Sequence, residues 1–505
     1  MRMAKLSVVL AALVLGAAGY GHAQEPQAQA KQLRLSETLA IAVRQSPTLA
    51  QFTLDVAVAD ARITEASGFR DFVLDGSVNW LSSRSKPAQG QFVFDQGRDQ
   101  VTVETGVSKI VGEGGQLALR LEGEFNPNVK LSDELAAIVG RSEVNYYSPR
   151  LTLSFKQPLL RGLSIDQARA GQDLARVGRD AAVLQQELTA SNTVRDVVQA
   201  YWDLSYSVEE LEIRKQSLAL AREQLRMVQA GIDVGKLAPS ASAEVEATIA
   251  LRDEEVLVAE QALSERALEL RRLAGMEIGP GEVMLEATDR PEPVAVEPDL
   301  DRALASAMER NPQLLAVRTQ VRSASIEVEV AENGLLPQLD FSASGSKFAN
   351  STEVGDAFTD LLSTKSYSVQ AGLTFSTPLG RHQAKGSFGA ARNTLRKVRM
   401  TEADIRAQIA VAVVRAANLV RSSKKRIEVL TKSTELAEIN LNTEKARYDV
   451  GRATNFDVLK RQEELAQAQL RQARAKTDYL KAVAVLEALT GEILPRHGIQ
   501  LAPAS

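Results

Sequence analysis

Residues suited to covalent or acid–base chemistry are scarce in this sequence. Cysteine is absent, which removes disulfides, thiolate nucleophiles, thiolate metal sites and a lipid-modified N-terminal cysteine. The histidines are His22, His382 and His497, too dispersed for a histidine general base or a multi-histidine metal site. Carboxylates are spread along helix faces rather than gathered, so neither an enzyme nor a bound cofactor or metal is expected. Tyr448, Asp457, Lys460 and Arg461 are polar residues of one stretch around the turn Val450-Gly451-Arg452. Asp457 and Lys460 are spaced i,i+3, where opposite charges meet on one helix face. Tyr448 falls on a heptad seam, where a tyrosine ordinarily serves packing.

The chain has 505 residues, 5% aromatics, 25% charged residues and a net charge of −4. That length favours several domains or one elongated repeated object. The balance of acids and bases among Ala, Leu, Val, Glu, Gln and Arg reads as long helices with solvated faces, and gives no reason to expect nucleic acid as a partner. Residues 1–23 read as a signal peptide. Arg2 and Lys5 precede an apolar run from Leu6 to Gly19, and Gly21-His22-Ala23 places small residues at −3 and −1 of a cleavage site. The run is too short to span a bilayer, and no other window is apolar enough to cross one as a helix.

The sequence repeats itself. Leu35-Ser36-Glu37-Thr38-Leu39-Ala40, continuing to Ser46-Pro47-Thr48-Leu49, recurs as Leu300-Asp301-Arg302-Ala303-Leu304-Ala305, continuing to Asn311-Pro312-Gln313-Leu314. Three further pairs follow in the same order. Leu151 to Phe155 with Pro158-Leu159 matches Gly372 to Phe375 with Pro378-Leu379. Asp233-Val234-Gly235-Lys236 matches Asp449-Val450-Gly451-Arg452, and Leu273-Ala274-Gly275 matches Leu489-Thr490-Gly491. Ser46 and Asn311 stand where helix N-caps belong, each followed by a proline suited to the first turn.

Past those helices the apolar period changes from 3.6 to 2. Leu74, Gly76, Val78 and Trp80 alternate with Asp75, Ser77 and Asn79. Tyr367, Val369, Ala371, Leu373 and Phe375 alternate with Ser368, Gln370, Gly372 and Thr374. Segments of about 10 residues, apolar on one face, suit membrane-barrel strands and equally a half-buried soluble hairpin. The first copy carries an insertion in which Val101, Val103, Thr105 and Val107 alternate, Gly112 to Gly115 turn, and Leu117, Leu119, Leu121 and Phe125 alternate again. This extra hairpin either projects outward or enlarges the barrel; projection is the favoured expectation. Trp80, Tyr146 and Tyr147 suit an aromatic girdle at a membrane interface or loop positions.

The helices discriminate. Leu204, Leu211, Leu218, Leu225 and Ile232 repeat every seven residues, as do Val420, Ile427, Leu441 and Tyr448 with Thr434 as the polar exception. These are coiled-coil seams, on helices of about 65 residues that span about 100 Å. The segments 241–274 and 312–333 are each about half as long, and are expected to stack end to end against the first long helix. The segments 456–490 and 47–67 are expected to do the same against the second.

With their order and spacing twice over, these residues resemble the TolC family of outer-membrane factors across roughly 33 to 491. The resemblance rests most on Tyr448-Asp449-Val450-Gly451-Arg452-Ala453-Thr454-Asn455-Phe456-Asp457-Val458-Leu459, and on the strand exits Gln157-Pro158-Leu159 and Thr377-Pro378-Leu379. It implies a mainly α fold with transmembrane β, in which long antiparallel coiled-coil helices form a periplasmic α-barrel. The first repeat is expected at 24–299, with strands about 72–157, helices about 167–231 and 241–274, and an equatorial linker at 275–299. The second is expected at 300–491, with strands about 338–376 and helices about 382–448 and 456–490, before a tail at 492–505.

The resemblance further implies a homotrimer in the outer membrane, each copy supplying four strands to a 12-stranded barrel among lipid. It implies a passive exit duct for a tripartite efflux pump or a type I secretion system, served by a periplasmic adaptor (a membrane fusion protein) and an inner-membrane pump. On that pattern Val234, Gly235, Lys236, Leu237, Val450, Gly451 and Arg452 are periplasmic tips that dock the adaptor. Asp457, Lys460 and Tyr448 are the candidates for a pore constriction; three copies of Asp457 around an axis repel one another and raise each other's pKa. Asp457 is otherwise a solvated helix-face charge. The pattern is altered where Lys460 replaces a carboxylate and where Ala453 and Ala241 replace a charged closing link. The alternative reading is a soluble periplasmic coiled-coil scaffold or adaptor.

Overall fold

The computed structural model describes residues 31–83, 98–130, 136–138, 140–163, 167–278, 285–292, 297–363 and 366–501. The expected signal peptide, parts of the expected linker and the end of the tail lie outside the described residues. The first copy begins with β1 (Lys31–Leu33), α1 (Leu35–Gln45) and α2 (Pro47–Ser67), followed by β2 (Val73–Ser83), β3 (Arg98–Val111), β4 (Gly115–Lys130) and β5 (Glu143–Pro158). Then come α3 (Gln167–Asp233), α4 (Ala241–Leu273) and β6 (Leu285–Ala287). The second copy has α5 (Leu300–Arg310), α6 (Pro312–Asn333), β7 (Gln338–Phe348), α7 (Val354–Leu362), β8 (Tyr367–Ser376), α8 (His382–Asp449) and α9 (Asn455–Thr490), before a short α10 (Ile493–Arg496).

Local chemistry starts the helices at matching places. The Ser46 hydroxyl accepts from Leu49 N at 3.5 Å, and Asn311 Oδ1 accepts from Gln313 N at 3.0 Å and Leu314 N at 3.2 Å. Pro47 and Pro312 follow in the first turn, where a missing N–H costs nothing. α3 has 67 residues and α8 has 68, so each is about 100 Å long. Along the α3 seam Leu204 and Leu218 are buried, and Leu211, Leu225 and Ile232 pack against buried clusters.

The half-length helices stack differently from the sequence-based expectation. Gly275, just past α4, has φ +68°, and a Cβ there would lie 2.5 Å from the Gln45 carbonyl oxygen. Gly491, just past α9, has φ +75°, and its Cβ would lie 2.9 Å from the Arg310 carbonyl oxygen. The end of α4 therefore abuts the start of α2, and the end of α9 abuts the start of α6. α3 packs against α4 and α2, α8 against α9 and α6. All four half-helices run in the same sense, so chain direction alone permits either pairing. The two glycine contacts decide it, and each repeat completes its own column.

At mid-height β1 pairs in parallel with β6. Tyr201 of α3 fastens this belt: its hydroxyl donates toward Asp289 Oδ2 (2.8 Å) or Leu33 O (3.1 Å), and accepts from Asp289 N (3.2 Å). Leu33, Val194, Val197, Tyr201 and Leu270 form the core beneath it, into which the tail inserts Ile493 and Leu494.

The remaining strands form one antiparallel sheet of six in the order β2-β3-β4-β5-β7-β8. This corrects two expectations. Six strands stand side by side rather than four, and the extra hairpin β3–β4 does not project but fills the wall between β2 and β5. The physical reason is chain direction. β2 runs away from the helices, so the turn after β3 falls at the helical end of the sheet. There Gln157 Nε2 donates to Glu113 O at 3.1 Å, and the Arg169 guanidinium at the start of α3 meets Gly112 O.

Candidate functional site

At the far end of the helices the two reversals share one geometry. Gly235 and Gly451 have φ +73° and +71°, a left-handed conformation that costs a side chain about 1–2 kcal/mol. Lys236 N donates to Gly231 O, and Arg452 N to Arg447 O, both at 2.8 Å. These are the long-range bonds of a glycine-terminated helix cap. Val234 and Val450 are each 68% exposed. Leu237 turns inward against Val228, Val245 and Leu459, which separates it from its exposed neighbours.

Asp457 is placed in the first turn of α9 as half of a capping box. Its Oδ2 accepts from the Thr454 hydroxyl at 2.6 Å and from Thr454 N at 2.9 Å. Those hydrogen bonds hold its carboxyl below the usual carboxylate range, the opposite of the direction a repelling ring imposes. Among the described residues no ion pair joins Asp457 to Lys460, because the carboxylate is turned back onto Thr454. Lys460 is exposed and Tyr448 half-buried; burial, then the Asp449 charge, pushes the Tyr448 phenol up. Asp457, Tyr448 and the second turn thus lie close along the chain, and among the described residues no ion pair or side-chain hydrogen bond joins them to Lys460.

What fastens the tip is a residue that sequence reasoning missed. Arg252 of α4 is 3% exposed. Its Nη1 donates to Ser217 O on α3 at 2.7 Å and to Gln462 Oε1 on α9 at 3.0 Å; Nη2 donates to Leu459 O at 3.3 Å. One guanidinium thereby ties the first helical hairpin, α3–α4, to the second, α8–α9. Nearer the tip the buried Gln224 donates to Asn455 Oδ1 at 2.7 Å. Nearer the belt Asp203 takes Lys481 Nζ at 2.8 Å and Arg474 Nη1 at 3.3 Å. The signal for Arg252 was present: it lies seven residues from both Val245 and Ala259, which are buried, so a cation occupies a seam position.

The sheet has two chemically distinct faces. Residues opposite each other in register point the same way, so one row can be followed from strand to strand. Val78↔Val103, Val103↔Gly123, Gly123↔Pro149, Leu153↔Gly345 and Gly345↔Val369 lie on one face, with Leu74, Leu119, Phe155 and Leu373. Val78, Val103, Leu119, Leu153 and Val369 are exposed. The other face carries Asp75, Glu104, Arg120, Glu122, Arg150 and Lys156, linked in part by Arg120–Glu104 at 3.2 Å and Lys156–Asp340 at 3.0 Å. Trp80 is 74% exposed on the apolar face. Tyr147 joins it there and stacks on Phe125 at 4.8 Å. Tyr146, one residue away and opposite Asn126, faces the charged side, so only two of the three suit an outward girdle. Among the described residues no helix is long and apolar enough to cross a membrane; the apolar surface suited to lipid is on the sheet.

Comparison with known proteins agrees. Residues 303–492, nearly the whole second copy, match the family model for outer membrane efflux proteins. The chain is 24% identical over 318 residues to the outer membrane efflux protein BepC of Brucella suis, covering 62% of this chain and 66% of that one. It is 28% identical over 206 residues to the outer membrane protein TolC of Escherichia coli, covering 38% and 39%. Among solved structures, the outer-membrane channel OprN superposes with a TM-score of 0.65 at 13% identity, covering 91% of this chain and 90% of that one. The outer membrane protein VceC of Vibrio cholerae superposes with a TM-score of 0.61 at 16% identity, covering 91% and 96%.

The second copy resembles the outer membrane efflux proteins, and the chain as a whole has the fold of these outer-membrane channels. As in that fold, a sheet with a charged face and an apolar face stands at one end of the long helices. The family model falls on the second copy, and the inserted hairpin lies in the first.

Proposed function

We propose that this chain is an outer-membrane efflux protein, a passive exit duct from periplasm to exterior, working as a homotrimer with a periplasmic adaptor and an inner-membrane pump. The observation that carries the reading is the sheet itself. One face is apolar and exposed, the other is charged, and both edges are unpaired among the described residues. Such a sheet is stable in lipid only when closed around water by further copies. A soluble scaffold has no use for an outward row of Leu74, Val78, Trp80, Val369 and Leu373.

The helices supply the gate. Closing the duct means holding α8–α9 against α3–α4, and Arg252, Gln224 and Asp203 make those bonds within one copy. The exposed turns at Val234–Lys236 and Val450–Arg452 are the adaptor's docking points. Asp457, Tyr448 and Lys460 follow the second turn as candidates for the narrowest ring, with Asp457 first serving its helix cap. The channel has no catalytic step; substrate choice belongs to the pump.

The test is genetic. Deletion of the chain is expected to lower tolerance to exported toxic compounds, or to empty the medium of a secreted protein. Restoration by the intact chain but not by one carrying Gly451→Val supports a tip-dependent duct. Unchanged tolerance and an unchanged secretome refute it.

A further inference from the structure

We propose that the trimer closes an eighteen-stranded barrel, with β2 of each copy paired to β8 of the next and the hairpin β3–β4 as part of the lipid-facing wall. The inference rests on the trimeric reading above and changes its pore. Three observations carry it. The first is order: β3 and β4 lie between β2 and β5, with eleven consecutive register pairs from Val73↔Ser108 to Ser83↔Arg98, and β4 follows β5 from Gln116↔Lys156 to Asn126↔Tyr146.

The second is face. Val103, Val107, Leu119 and Leu121 of the hairpin continue the apolar row of β2, β5, β7 and β8, while Glu104, Arg120 and Glu122 continue the charged row. A hairpin lying outside the membrane has no need of an apolar stripe in register with its neighbours. At the helical end Lys109 falls on the apolar side, and its ammonium sits over the Phe72 ring at 4.1 Å, as a lysine does where a wall leaves lipid.

The third is closure. Among the described residues β2 and β8 each have a single strand partner, and they are similar in length, 11 and 10 residues, long enough to cross a bilayer when tilted. They run in opposite senses, as antiparallel pairing requires. The six strands of one copy cannot close on themselves, because even eight strands leave an interior just filled by side chains. Asp75, Glu104, Arg120, Glu122 and Arg150 would then be buried without water. Three copies give eighteen strands and an aqueous lumen, about half again as wide as one of twelve. The duct of this member is therefore widest at its outer mouth, and the helical tips alone set the limit on cargo size.

The chain has no cysteine, so introduced pairs report on a clean background. In outer membranes, Ser77→Cys is combined in turn with Ser368→Cys, Gln370→Cys, Gly372→Cys and Thr374→Cys to span the β2–β8 register. Asn79→Cys with Thr102→Cys tests β2–β3, and Ser77→Cys with Thr152→Cys tests β2–β5. The proposal expects interchain ladders up to a trimer from the first set, an intrachain bond from the second and none from the third. A β2–β5 bond in place of β2–β3, with trimer ladders intact, overturns the eighteen-stranded wall and leaves the trimer standing. A β2–β3 bond with no interchain product at any β2–β8 pair overturns closure between copies, and the trimer with it.

Discussion

Arg120 reaches across a glycine to Asp75. The two belong to strands that are not neighbours, yet the guanidinium lies 3.6 Å from the Asp75 carboxylate and 3.2 Å from Glu104. Gly106 sits opposite both in register, and a Cβ there would lie 3.2 Å from the Asp75 oxygens. The side chain missing at 106 is what lets one cation serve two carboxylates on adjacent strands.

Exposed pairs of this kind contribute about 0–1 kcal/mol each, so Arg120→Ala is expected to fold and insert. Its effect is on ions. Removing the cation leaves Asp75 and Glu104 unneutralised on the charged face, and the reversal potential in a salt gradient should shift toward cation selectivity. An unchanged reversal potential places this face away from the conducting path.

Arg252 is the place to loosen the tip without touching the turns. Arg252→Met keeps bulk but removes the ties to Ser217 O, Leu459 O and Gln462 Oε1; the two carbonyls keep their helical N–H partners, while the buried Gln462 oxygen left unpaired costs about 1–3 kcal/mol. Faster amide exchange is expected around 217–224 and 455–462, with longer or more frequent open events in single-channel records. Exchange confined to α4 contradicts a tie between the two hairpins.

The stacked columns make a stability prediction. Gly275→Ala puts a methyl 2.5 Å from the Gln45 carbonyl oxygen and asks alanine to hold φ +68°, at a combined cost of about 2–5 kcal/mol. Gly178, which meets nothing within 4 Å, is the control: Gly178→Ala should be neutral or mildly stabilising. Equal melting temperatures for the two variants overturn the stacking.

Glu487 supplies a pH dependence. Burial pushes its carboxyl up to about 7, and the Arg496 guanidinium at 2.6 Å offsets only part of that. The folded chain therefore holds this proton more tightly than the unfolded chain, whose ordinary value is 4.5. The resulting stability is fully present below about 4.5 and is lost as pH rises through about 7. The loss is on the order of 3 kcal/mol for a shift of this size. Melting in detergent at pH 5 and pH 8 should show a fall with rising pH that Glu487→Gln largely abolishes; a parallel fall in the variant assigns the dependence elsewhere.

The sequence exposes its helices and its faces better than its neighbours. Heptads from Leu204 to Ile232 need only local spacing, and so does the alternation from Tyr367 to Phe375. Pairing is long-range. The alternation of Val101 to Val107 says that a strand has an apolar face, not that Val103 lies opposite Val78, and so the hairpin's place in the wall was not legible. The column partners were hidden for a related reason, since both arrangements obey the same direction and only close contacts at Gly275 and Gly491 separate them. At the tip, the charge of Asp457 suggests a pore ring, whereas Thr454 three residues earlier defines it as a cap. Arg252 is legible as a cation on a buried seam, but the many charges of α4 mask it.

The most direct measurement is conductance. Purified full-length chain, extracted in detergent and added to a planar lipid bilayer, is expected to insert and pass discrete steps of ionic current, larger with Arg252→Met than with the intact tip. A chain that leaves the membrane fraction without detergent and passes no current, with or without Arg252→Met, contradicts the duct and returns the protein to a soluble scaffold.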